Sequence, residues 1–83
     1  MRNSVNAGAG ARRFRNTASK VRAILEVIKP GECVDGRTIA RRLQERGYRV
    51  NEGNIKMFIY YHMLHRHLRR VKIKGVNHYT LLS

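Results

Sequence analysis

Asn51, Gly53, Asn54, Lys56 and Tyr60 crowd the start of one apolar-patterned stretch, and they are residue types that read and grip a nucleic acid. An Asn side chain can pair bidentately with the major-groove edge of adenine. Exposed backbone amides beside a residue with no side chain, Gly53, suit a closely approaching phosphate, and Lys56 adds a point charge. Tyr60 carries the same face one turn further. For this chemistry to work, all five must lie on one helix whose first turn is uncovered, and the rest of the chain must supply charge of the same sign around it.

The charge is distributed as that requires. All five acidic residues fall between Glu26 and Glu52, so residues 53–83 carry six Lys/Arg and no acid, and residues 1–25 carry six more without one. The formal charge of +13 is therefore polarised toward both ends, the footprint of a protein that neutralises phosphates. Catalysis lacks candidates. No Gly-rich phosphate loop follows a strand pattern, no carboxylate pair lies in the basic segments, and no Ser/His/Asp set is discernible, so the chain reads as a non-enzyme with no cofactor. His62, His65 and His67, with His78, invite a metal reading. Helical spacing sends His67 away from the other two, and a basic segment repels cations, so no metal is expected. The lone Cys33 sits beside Val34 and is expected to be a small buried hydrophobe.

Eighty-three residues make one small domain with a thin core, which favours a binding module over a deep enzyme pocket. No apolar run reaches the length of a membrane span, and a cytoplasmic or nucleoid location is expected. Residues 1–16 mix small, polar and basic types without a period and read as a flexible basic arm bearing Arg12, Arg13 and Arg15. Residues 17–83 read as the folded domain. Val21, Ile24, Leu25 and Ile28 recur at helical spacing behind possible caps at Thr17 or Ser19, and Pro30-Gly31 ends that pattern. Asp35 is suited to cap a second helix burying Ile39, Ala40 and Leu43, with Arg37, Arg41, Arg42 and Glu45 outward and Gly47 as its stop.

Asn51 is suited to cap a third helix, with Glu52 in its first turn and Val50 poised to staple onto Ile55; the pattern carries it over 52–66, and to His65–Leu68 at the outside. It is apolar on two sides. Ile55, Phe58, Ile59 and His62 form one stripe, while Met57, Tyr61, Leu64 and Leu68 form another that predicts either full burial in the monomer or a homodimer. The tail 69–82 alternates. A three-residue loop Gly75-Val76-Asn77 separates an apolar face (Val71, Ile73, Tyr79, Leu81) from a cationic one (Lys72, Lys74, His78, Thr80), and this separation selects that register over a two-residue loop.

The order of helix, short strand, helix, turn, helix and basic hairpin, with Ile39, Ala40, Leu43, Gly47, Val50 and Ile55 at their spacing, resembles the winged helix-turn-helix DNA-binding superfamily from Asp35 to Leu82. The hydrophobic spacing is similar to that of the DNA-binding half of ferric-uptake-type repressors and of small winged-helix proteins from archaea and their viruses. The resemblance implies a mainly α, α+β fold of three helices plus a C-terminal β-hairpin wing, with the third helix in the major groove and the hairpin on backbone or minor groove. It further implies that Arg37 and Thr38 meet the passing backbone, and that Lys72, Lys74, Asn77 and His78 make the wing contacts. Arg12, Arg13 and Arg15 would reach a narrow minor groove. The expected partner is double-stranded DNA, in the manner of a transcriptional regulator acting by occupancy. The alternatives are a weakly specific architectural DNA binder and a structural RNA binder of the ribosomal winged-helix type.

Overall fold

The computed structural model describes residues 13–82. Helix α1 spans Thr17–Glu26, strand β1 Val34–Asp35, helix α2 Gly36–Glu45, helix α3 Glu52–His62, strand β2 Leu68–Ile73 and strand β3 Val76–Leu81. The result is a small α+β globule of three helices and a three-stranded antiparallel sheet of order β1-β3-β2.

The cap of α1 is Asn16, not Thr17 or Ser19 as expected. Its side chain accepts from the Ser19 N–H at 2.8 Å, and the Ser19 hydroxyl receives the Asn16 N–H at 3.1 Å, a reciprocal capping box. Phe14, placed in the arm by composition, stacks on Tyr48 with ring centroids 4.4 Å apart. The remaining arm cation Arg12 lies outside the described residues.

Helix α2 forms as its sequence dictates. Asp35 Oδ1 accepts the Thr38 N–H at 2.8 Å, Ile39, Ala40 and Leu43 are buried, and Gly47 turns the chain at φ +93°, a left-handed conformation that costs Gly little. Arg42 does not point outward as expected. Its guanidinium spans both oxygens of Glu32 at 2.7 and 2.8 Å and also donates to the Val27 carbonyl at 2.8 Å, tying α2 to the segment that follows α1. Cys33 is exposed, a second correction: the two-residue strand β1 turns Val34 into the core and leaves its neighbour outside.

Helix α3 starts at its expected cap, with Asn51 Oδ1 accepting the Asn54 N–H at 2.8 Å, but it ends at His62, short of the expected 65–68. Met63 and Leu64 both fold their amides back onto the Ile59 carbonyl, His65 adopts φ +67°, and its N–H meets the Leu68 carbonyl at 2.8 Å. The apolar residues that prolonged the helical pattern are used by a tight turn instead. Met63 and Leu68 are fully buried and Leu64 packs against the core, so Leu64 and Leu68 are not available to an outer face. Only Met57 and Tyr61 of the second stripe stay exposed.

The hairpin register also differs from expectation. Ile73 pairs with Val76, Lys72 with Asn77 and Arg70 with Tyr79, around a two-residue turn at Lys74-Gly75 with φ +51° and +80°. Those angles define the turn whose twist matches antiparallel strands. In this register Leu68, Tyr79 and Leu81 share the core face with Val34, which pairs with Tyr79. Val71 and Ile73 join His78 and Thr80 on the opposite face, and Ile73 and Val76 are exposed at the tip.

Ile24, Ile39, Leu43, Ile55, Ile59, Met63 and Leu68 are fully buried and join all three helices to the base of the hairpin. Each such side chain contributes about 1.5–3 kcal/mol of burial. No helix among the described residues is long and apolar enough to cross a membrane.

Candidate nucleic-acid interface

The first turn of α3 stands between two clefts, and six of the fourteen expected contact residues line them: Arg37, Lys56 and Asn77 the first, Arg13, Asn51 and Asn54 the second. The first cleft, about 460 Å³, lies between the starts of α2 and α3 and the hairpin turn, lined by Gly36, Arg37, Glu52, Lys56, Val76 and Asn77 among others. Lys56 reaches this cleft across a glycine. Its aliphatic stem crosses buried Gly36 so closely that a Cβ at that position would fall 2.5 Å from Lys56 Cγ. The ammonium then lies 3.7 Å from Glu52, whose other oxygen is 3.7 Å from Arg37 Nε. Lys72 is directly opposite Asn77 on the same face of the hairpin, and Arg70 follows at the next position of that face.

The second cleft, about 650 Å³, opens between the starts of α1 and α3. Arg13, Asn16, Lys20, Arg49, Asn51 and Asn54 line it together with Phe14 and Phe58, and no carboxylate does. Lys20 lies 4.6 Å over the Phe58 ring and 5.5 Å from that of Phe14, and burial pulls its pKa below the usual lysine range. Lys20 and Arg49 went unnoticed in the sequence. The lysine sits on the half-buried side of α1, and only the approach of α1 to α3 gives it a role; Arg49, two residues before the Asn51 cap, was the one legible signal.

Several expected residues behave differently from the rest. Asn51 uses one acceptor position of its Oδ1 on the cap, which holds its side chain against the start of α3; Asn54 keeps its side chain exposed. Thr38 is committed to Asp35, whose pKa is lowered by hydrogen bonds from the Thr38 side chain and backbone. Gly53 is exposed, and a Cβ there would meet nothing nearer than 3.6 Å, so its bare backbone is not required by packing. Tyr60 is 60% exposed and contacts Tyr61 edge to face at 5.1 Å.

Lys74 sits at the hairpin tip, and Arg13 and Arg15 are exposed beside the start of α1. His78 alone leaves the group: the register turns it to the opposite face from Lys72 and Asn77, where its Nδ1 lies 3.0 Å from the Val76 carbonyl. Among the described residues no three His, Cys, Asp or Glu side chains converge as a metal site requires.

No protein-family model, curated protein or solved structure matches the chain.

Proposed function

We propose that the protein is a winged helix-turn-helix binder of double-stranded DNA that regulates transcription by occupying its site. In this reading α2 props α3, the exposed start of α3 enters the major groove through Asn54, Lys56 and Tyr60, and the β2–β3 hairpin is the wing. The observation that carries it is the convergence of Arg37, Lys56 and Asn77 on one cleft, flanked by Lys72 and Lys74, although they come from three separate elements. The acid-free second cleft supplies Arg13, Lys20 and Arg49 to the phosphates on the other side of α3. Tyr60 and Tyr61 favour a second reading, in which unpaired RNA bases stack on the exposed rings.

Competition between a labelled random-sequence duplex and folded RNA, repeated over a salt series, separates the two. About six phosphate contacts predict that log affinity falls against log salt with a slope near −5, with duplex preferred over RNA. A flat salt response removes the electrostatic basis of either reading, and preference for RNA selects the second.

A further inference from the structure

The cleft at the start of α3 contains a group that a purely phosphate-gripping surface would exclude. Glu52 has a side chain 43% exposed and lies between Arg37 and Lys56. Asp35 also lines the cleft, but its carboxylate is spent on Thr38. Both ion pairs of Glu52 are 3.7 Å long, beyond hydrogen-bond range, so the carboxylate keeps its lone pairs and the Lys56 ammonium keeps its protons. A carboxylate at the first position of a helix is favoured by the helix dipole, and its spacing to Lys56 is favourable too. Neither effect requires it to share a cleft with two cations that face the duplex. A phosphate brought to this point would be repelled. The group that fits it must offer a donor to Glu52 and an acceptor to Lys56 side by side.

We propose that Glu52 and Lys56 act as one acceptor–donor couple that reads a C·G base pair, Glu52 accepting from the cytosine amino group and Lys56 donating to guanine. The inference rests on the duplex reading above. In the major groove a C·G pair presents its amino donor at one end and the guanine O6 and N7 acceptors adjacent to one another. An A·T pair also presents an amino group, but its acceptors stand on opposite sides of it, and so offer an ammonium no paired seat. Gly36 makes the couple possible: its bare Cα lets the Lys56 stem cross it, which brings the ammonium to the side of the cleft where Glu52 lies.

The test is selection of bound fragments from a random duplex pool, with folded RNA as competitor, by the wild-type protein and by Glu52→Gln, Lys56→Ala and the double variant. Circular dichroism melting verifies that each is folded. The wild type is expected to select a C·G pair at one position. Glu52→Gln should lower that preference on the order of tenfold while binding non-cognate duplex more tightly, because a repulsive charge is gone. Lys56→Ala should lower preference at the same pair, and the double variant should lose little more than either single one. An unchanged preference in Glu52→Gln, or effects of the two residues at different base pairs, overturns the couple while leaving duplex binding intact. Enrichment of RNA with no duplex selected overturns both.

Discussion

Gly53 carries opposite expectations for stability and for binding. Because a Cβ would meet only Asn51 Oδ1, at 3.6 Å, Gly53→Ala should fold and gain up to about 1 kcal/mol of helix propensity. The same methyl would stand where a phosphate approaches the bare backbone, so duplex affinity should fall. Thermal melting and fluorescence anisotropy on one preparation check both signs; unchanged affinity would remove Gly53 from the interface.

Glu32 makes a second residue-scale prediction. Hydrogen bonds from the Arg42 guanidinium, then from the Lys29 amide, hold its carboxyl down at about 2, against an ordinary 4.5. A carboxylate with a depressed pKa stabilises the fold fully above its unfolded value and loses that contribution as protons bind the folded form. Stability should therefore fall as pH drops from about 4.5 toward 2, and Glu32→Gln should flatten that part of a urea-denaturation series against pH. At this scale the sequence was informative where residues are neighbours on one helix, as with Asn54 and Lys56. It was silent where segments apart in the chain fold together, as with Lys20 beside Phe58 or Arg42 on Glu32.

Among the elements, the hairpin turn is where local chemistry overruled pattern. Lys74 occupies a left-handed conformation at φ +51°, which costs a side chain with a Cβ roughly 1 kcal/mol more than it costs Gly, and Asn less. Lys74→Asn should raise the melting temperature by stabilising the turn and, on the proposed function, should weaken binding to all duplex sequences alike because the wing loses a cation. A loss confined to particular sequences would assign Lys74 a base-reading role instead.

The extent of helix α2 was legible because its cap, its buried triplet and its Gly stop agree, whereas the inward turn of Arg42 was not. The hairpin register was not, since amphipathic alternation was applied to a hairpin whose tip extends past the core. There Ile73 and Val76 lie exposed, and neither face of the tip is constrained by burial. Had Leu68 been read as the first strand residue rather than as the end of α3, Leu68, Tyr79 and Leu81 would have marked the core face. The end of α3 was obscured for the same reason: Met63, Leu64 and Leu68 continue a helical spacing that a tight turn consumes.

Over the whole molecule, the acids are unevenly placed in space as they are in sequence. Glu26 and Glu45 line a cleft with Arg42 and Arg46, and Glu32 pairs with Arg42, so three of the five acids gather where α1 and α2 meet. The cleft between α1 and α3 is lined by no Asp or Glu among the described residues, while at the start of α3 Glu52 and Asp35 share a cleft with Arg37 and Lys56. That unevenness was readable from the distribution of Asp and Glu before any element was placed. The two clefts were not readable, because they exist only between elements far apart in the chain.

Amide chemical-shift mapping on addition of one equivalent of duplex DNA tests most directly whether this surface meets a duplex. Perturbations confined to residues 13–20, 36–38, 49–61 and 70–78 are the predicted result. A response centred on Glu26, Glu45 and Arg46, or none in α3 while the duplex is bound, would contradict it.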